Sequence, residues 1–449
     1  MKIILKEMNT YLDAFDTYSL FKNDKEIIFL DSSMKNNLGR YSFIGVNPFN
    51  VLKGSRKHCN LNGDEYEGDI FAVLSEILSR YKIENDTGIP FIGGCMGYFS
   101  YDIGFELEDI KTTSIEDVII PQFYFVFYDN LIIFDNKLQK TYISACGILK
   151  DHKDSINDLE SIISHTVKVS YNEVNKDLAS FKSNFTKEEY IKALGTMKDY
   201  IVNGDIYIAN MTQRLICETK KDSYDIYKDL RNINPAPFAV FMRFEDFDII
   251  SSSPERFIKV SSGKVETRPI KGTRPRGMTS GEDNKNRIEL MNSEKDKAEL
   301  LMIVDLERND LSKVCKPHTV KVTELYKIEE YSTVFHLVST IVGELKEDTD
   351  AVSCMKACFP GGSITGTPKI RAMEIIDELE GIKRSLYTGC IGYFSFDGDA
   401  DFNIVIRTIV KKGDFAYMGV GGGITYDSDE ASEYQECLDK AKALLRVIN

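Results

Sequence analysis

Apolar positions recur along this chain with two periods, and their alternation outlines a mixed helix and strand protein. From Thr186 to Gly204 the period is helical. Tyr190, Ile191, Leu194, Met197 and Ile201 share one face, Thr186 and Glu189 stand at capping-box spacing, and Phe185 and Tyr190 form a hydrophobic staple. Asn203-Gly204 supplies the stop signal. Further helices are predicted over residues 70–81, from an N-cap at Ser293 through Met302, and over residues 430–447, where Tyr434, Cys437, Leu438, Ala441, Leu444 and Leu445 face inward. Strands are predicted at residues 27–33, 39–45, 205–215, 238–242 and 248–251, with a hairpin joining 257–260 to 265–267. The apolar run 123–143 reads as two strands about a turn at Tyr128-Asp129-Asn130.

One strand pattern occurs twice. Gly94-Cys95-Met96-Gly97-Tyr98-Phe99-Ser100-Tyr101-Asp102 and Gly389-Cys390-Ile391-Gly392-Tyr393-Phe394-Ser395-Phe396-Asp397 agree at seven of nine positions. Such a pair implies two related halves or two matched central strands. Residues 150–184 are polar and charge-rich, with an amphipathic piece near Leu159 to Ile163, and form the expected linker between an amino-terminal portion, residues 1–175, and a carboxy-terminal portion, residues 176–449.

Composition narrows the class. With 449 residues, 43% of them hydrophobic and 28% charged, the chain has the make-up of a globular protein with ample core. A net charge of -14 argues against nucleic acid or an anionic membrane as the main partner. No run approaches about 18 uninterrupted apolar residues and the amino terminus carries no cleavage-site pattern, so a cytoplasmic location is expected. Nine cysteines without a C-x-x-C pair fit reduced, mostly buried thiols.

Against this acidic background, Arg268, Lys271, Arg274 and Arg276 place four cations within nine residues, as a patch for an anion would. Lys271 differs from the others. It lies between Ile270 and Gly272 at a strand end, where partial desolvation would lower its pKa and free a nucleophilic amine. Asp296 and Glu299 share a face of one helix, and Glu433 and Glu436 share a face of the last. Such acids suit the helix dipole, and they equally suit hard oxygen ligation of Mg²⁺. The loop Gly361-Gly362-Ser363-Ile364-Thr365-Gly366-Thr367-Pro368-Lys369 departs from a phosphate-binding loop because Thr367-Pro368 separates its last glycine from Lys369. The run Gly419-Val420-Gly421-Gly422-Gly423 offers backbone amides to a carboxylate. Gly93-Gly94-Cys95-Met96-Gly97 matches a glutaminase nucleophile elbow, but His152 and His165 lack the expected setting, and strand packing accounts for it better.

Taken together these segments resemble the chorismate-utilising enzymes. The likeness rests on Ser253-Pro254-Glu255-Arg256-Phe257, the Arg268–Gly277 stretch, Ala298-Glu299 with Asp305-Leu306-Glu307-Arg308-Asn309-Asp310, His336-Leu337-Val338-Ser339, the loop at Gly361, Ile406-Arg407-Thr408 and the segment from Gly423 to Glu436. Gly39-Arg40-Tyr41-Ser42-Phe43-Ile44-Gly45 extends it to the amino-terminal portion of the aminating members. The resemblance implies an α+β fold of large antiparallel-rich sheets with flanking helices, its two portions intertwined around a common core.

Within the family, Lys271 in Pro-Ile-Lys-Gly-Thr resembles the aminodeoxychorismate synthases, where anthranilate synthases usually have alanine. The resemblance implies amination of chorismate at C4 through a covalent lysine adduct, for 4-aminobenzoate and folate synthesis, with ammonia delivered by a separate glutamine amidotransferase subunit. It assigns catalysis to Lys271, Glu255 and His336. Substrate would be bound by Thr273, Ser363, Tyr387, Arg407, Gly422, Gly423 and Lys440. Mg²⁺ would be held by Glu299 and Glu436, backed by Asp296 and Glu433. A tryptophan site of the aminating members would correspond to Leu30, Ser32, Arg40, Asn234, Pro235 and Phe238. Ile208 stands where water-adding members carry an activating lysine and aminating members usually glutamine, and Leu300 and Asp296 replace a usual histidine and glutamate. No lyase segment follows the last helix, so 4-amino-4-deoxychorismate is the expected product. The alternatives are component I of an anthranilate synthase and, in another class, a non-catalytic subunit that binds an amino acid.

Overall fold

The computed structural model describes residues 2–34, 38–331 and 334–449. Its frame is a pair of long antiparallel strands, Tyr41–Gly54 and Phe123–Asp135, bonded along their whole length with one register shift between Pro48 and Asn50. Every residue of Phe123–Asp135 is buried. A strand buried on both faces has no need of polar alternation, which explains the near-continuous apolar run.

The turn expected at Tyr128-Asp129-Asn130 is absent, because the strand runs straight through. Its polar side chains are satisfied laterally: the Asp129 carboxylate accepts from the amides of Ile148 and Leu149, and Asn130 donates to Ser144 O and accepts from Ser155 Oγ. The chain turns later, at Gln139 with φ 54°, before Lys140–Ala145.

Each half of this long pair continues into its own arm of one connected sheet. On one side Ile28–Asp31 joins Tyr41–Gly54 to Phe238–Arg243, then Asp248–Ser253, Thr408–Lys412, Phe415–Ile424 and Ile208–Glu218. On the other, Gly94–Phe99 leads to Cys390–Ser395, Ala400–Ile404, Arg256–Ser261, Lys264–Thr267 and Val334–Glu344. The two copies of the repeated motif are therefore neighbouring central strands, with Gly97 opposite Gly392. A Cβ at either glycine would stand 2.0 Å from a carbonyl oxygen of the next strand, Tyr124 O or Asp401 O. Both hydrophobic clusters contain residues from the two ends of the chain, the second running from Ala14 to Ile448.

Helices cover both arms. The capping box holds in Lys187–Val202, where Thr186 Oγ1 accepts from Glu189 N and Glu189 Oε2 from Thr186 N, and the staple rings lie 5.6 Å apart. The helix capped by Ser293 continues beyond Met302 to Val314, because buried positions recur at Glu299, Ile303, Glu307 and Leu311. The expected linker contains the helix His152–Ile163, with Ile156, Leu159 and Ile163 buried. Among the described residues no helix is long and apolar enough to cross a membrane.

Candidate active site

Lys271 lies on Ile270–Pro275, a short strand beside Val334–Glu344 whose register slips between Lys271 and Thr273. Gly272 occupies the slip with φ 74°, and a Cβ there would meet the Asp296 carboxyl at 2.8 Å. Only glycine allows both this backbone and the close approach of the helix Glu294–Val314. The strand end is thereby held over the acids of that helix.

The Lys271 amine donates to Ser363 O at 3.3 Å. It also stands 3.1 Å from where a Cβ of Gly423 would be, with Ile208 Cδ1 at 3.4 Å from the same point. Lysine, glycine-rich loop, Gly423 and Ile208 thus form one wall. Glu255 is buried beside them; burial raises its pKa, while the Ser363 hydroxyl, the Lys271 charge and the Ile270 amide work against that rise. A carboxyl so placed can hold a proton and release it.

Across the strand, Thr273 Oγ1 and His336 Nδ1 are 2.9 Å apart. Burial, reinforced by the charge of Arg407, pushes the His336 pKa down to about 3, so its imidazole is neutral. Arg407 itself has φ 51°, a left-handed conformation costly for a side chain of this size. Its guanidinium, pushed below its usual range by burial, has no carboxylate partner among the described residues. A sequestered cation without an anion is a standing request for one. Tyr387 packs on Gly419, whose Cβ would lie 2.2 Å from the tyrosine ring.

The acids of the two helices approach one another here. Glu299 is buried, and burial raises its pKa against the charges of Lys271 and Lys295. Lys295 Nζ lies 3.9 Å from Glu299 Oε1 and 3.4 Å from Glu433 Oε1. Glu436 pairs with Lys440 at 3.0 Å; burial works to raise its pKa, but Lys440, Lys295 and Lys271 together lower it. Asp296 pairs with Arg274 at 3.1 Å. Among the described residues no three acids, histidines or cysteines converge into a finished metal site. One ammonium nevertheless spans Glu299 and Glu433, so acids of both helices lie within reach of a single cation. Their hard oxygen donors fit Mg²⁺.

Other expectations resolve differently. The basic patch is already neutralised: Arg268 pairs with Glu329, Arg274 with Glu289 and Asp296, and Arg276 with Asp283. It is a set of ion pairs and no anion site, apart from Lys271. Lys369, at the end of the glycine loop, is buried against Asp310 at 2.5 Å and the carbonyls of Cys358 and Pro360. Cys95 is fully buried in a central strand, and burial drives its thiol far above the ordinary range.

Of the six residues expected to bind an amino acid, Leu30, Ser32, Arg40 and Phe238 line a separate cavity of about 790 Å³. Asn234 and Pro235 do not line it; the Asn234 amide is spent on Ser252 Oγ. Neither Lys295 nor Glu307 is among the site residues expected from the sequence, although Glu307 lies in the Asp305–Asp310 segment that carries the family likeness. Both carried a helical signal, Lys295 one turn before Glu299 and Glu307 two turns after it.

Comparison with known proteins follows the same outline. A profile for chorismate binding enzymes matches residues 26–446. The chain is 39% identical to anthranilate synthase component 1 of Acetivibrio thermocellus, over 99% of this chain and 95% of that one. It is 37% identical to aminodeoxychorismate synthase component 1 of Bacillus subtilis, over 98% and 95%, and 40% identical to that of Escherichia coli, over 84% and 82%. In structure it resembles anthranilate synthase component I of Streptococcus pneumoniae, with TM-score 0.82 and 31% identity over 92% of this chain and 94% of that one.

Proposed function

The chain belongs to the chorismate-binding enzyme family, and within it we propose that it is component I of an aminodeoxychorismate synthase, converting chorismate and ammonia to 4-amino-4-deoxychorismate. Overall identity does not separate this reading from anthranilate synthase, since relatives of both names match about equally. The observation that carries it is local. Lys271 presents a primary amine beside the glycine-rich loop, bonded to Ser363 O and facing Glu255.

In this reading the Lys271 ammonium first passes a proton to Glu255 beside it, and the free amine forms a bond to C2 of the ring while the double bond shifts and the C4–O bond breaks. Glu255 gives its proton to the departing oxygen, which leaves as water. Ammonia then bonds to C4, the double bond returns, and the C2–N bond to Lys271 breaks, restoring the amine. Neutral His336 and Thr273 line the pocket as hydrogen-bonding groups and not as charges. Arg407 supplies the cation for one substrate carboxylate, with Tyr387 and the Gly422-Gly423 amides beside it. Glu299 and Glu436 would hold Mg²⁺, with Asp296 and Glu433 behind them, to neutralise the ring carboxylate. Lys440, bonded to Gly421 O at 2.9 Å, fixes the Gly421–Gly423 backbone. Buried Cys95 offers no thiolate for glutamine hydrolysis, which favours a separate amidotransferase subunit or free ammonium as the ammonia source.

Product analysis with chorismate, Mg²⁺ and ammonium tests the proposal. The expected product is one that a separate lyase converts to 4-aminobenzoate; anthranilate as the main product overturns the reading in favour of anthranilate synthase.

A further inference from the structure

Glu307 has no part in the proposed reaction and sits on the buried stripe of Glu294–Val314. Thr267 Oγ1 stands 2.6 Å from Phe257 O and 2.9 Å from Glu307 Oε2. A threonine hydroxyl has one proton to give. Phe257 sits where Arg256–Ser261 slips against its neighbour between Arg256 and Ile258, and the paired residues facing Lys264–Thr267 begin at Lys259. The shorter contact and the buried carbonyl place the hydroxyl proton on Phe257 O. Two oxygens then face each other at 2.9 Å, and the proton between them must belong to the Glu307 carboxyl.

The surroundings agree. The groups facing Glu307 are Glu255 from the Ser253–Arg256 turn, Asp310 from its own helix and Lys369 from Lys369–Glu380, besides the uncharged Thr267. Lys369, the cation of the set, is committed to Asp310. Burial first, then Glu255 and Asp310, push the Glu307 pKa up to about 8 against the charge of Lys369; only a Thr267 hydroxyl proton turned towards the carboxyl, and so away from Phe257 O, would add to that opposition.

Glu307 also touches what carries the chemistry. Its Cγ lies 3.2 Å from where a Cβ of Gly362 would stand, so it fills the space beneath the loop that bears Ser363. Ser363 accepts from Lys271 through its carbonyl and bonds Glu255 through its hydroxyl. Thr267 stands four residues before Lys271 on the same run of chain.

We propose that Glu307 is a neutral carboxylic acid in the working enzyme and the positioning residue that ties helix, glycine loop and lysine strand together. The proposal rests on the reading of Lys271 as nucleophile and Glu255 as acid. Neutrality matters because Glu255 becomes an anion on giving up its proton, and a second anion in the same dry space would oppose that step.

Two measurements test this on the full chain. Infrared difference spectra of the ligand-free protein at about pH 7 compare wild type with Glu307→Gln. The carbonyl stretch of a buried carboxylic acid is expected in wild type and missing from the variant. Kinetics with chorismate and ammonium then compare two replacements. Glu307→Met is expected to lower kcat by about tenfold or more with KM changed less than about threefold, and Glu307→Gln, whose amide still donates to Thr267, restores most of that loss. Absence of the band, or a glutamine no better than methionine, overturns the proposal. The spectrum is read without substrate, so it judges the protonation independently of the product. Should Glu307→Met fail to fold, Thr267→Val removes the acceptor and is expected to shift the band; an unshifted band overturns the proposal.

Discussion

Lys295 Nζ stands 3.4 Å from Glu433 Oε1 although the two residues are 138 positions apart, so an ammonium occupies the space between two acid-bearing helices. A side chain in that place competes with any added cation. Replacing it by methionine is expected to tighten Mn²⁺ or Mg²⁺ binding by about two- to fivefold, the worth of a partly exposed ion pair at about 0.5–1 kcal/mol. Calorimetric titration of the substrate-free protein measures this. Weaker binding in Lys295→Met would mean that the lysine assists the metal.

Removing the amine of Lys271 attacks the proposed covalent step itself. Lys271→Ala is expected to lower 4-amino-4-deoxychorismate formation by on the order of 10³-fold, with the protein still folded. Lys271→Arg is expected to fail as well, because a guanidinium does not deprotonate. Turnover at the wild-type rate in either variant would remove the adduct from the mechanism.

Arg407 joins strain to an unmatched charge, so its loss has two opposite effects. Arg407→Met is expected to raise Tm by about 1–2 °C, since a poorly solvated cation is relieved. The same change is expected to reduce kcat/KM for chorismate by about 10²–10³-fold through loss of a charge-assisted bond to carboxylate. Parallel thermal and kinetic measurements decide the matter; a less stable variant with unaltered KM would show that the arginine is structural.

Asp102 links pH to stability. Burial raises its carboxyl pKa from 3.8 to about 7, against the Ser385 amide and the distant charges of Lys383 and Arg214. The folded state therefore binds more protons than the unfolded chain between these values, and its contribution to stability falls as pH rises through that window. Asp102→Asn cannot ionise and is expected to flatten the decline of Tm over the same range. An unchanged slope would place the titrating group elsewhere.

What could be read from sequence was what depends on local spacing. The Thr186–Glu189 capping box, the Ser293 cap and the paired acids at three-residue intervals all lie within one or two helical turns. The Tyr128–Asn130 segment misled because polar residues suggest a turn unless a remote loop, here Ile148 and Leu149, supplies their partners. The arginines around Lys271 misled because their acids, Glu329, Asp296 and Asp283, stand on other elements of the fold. Arg407 resembled an ordinary charge at a strand end, since neither its left-handed backbone nor its missing partner leaves a trace in sequence. The role proposed for it comes from the resemblance to the family; the local pattern carried none.

The pairing of Gly94–Phe99 with Cys390–Ser395 sets a schedule for making the protein. The first strand leaves the ribosome nearly 300 residues ahead of its partner, a wait of about 15–60 s at ordinary rates of synthesis. During that time an apolar β-edge has no native neighbour on one side and is open to non-native pairing. A nascent chain halted before Cys390 is therefore a substrate for quality control and not half an enzyme.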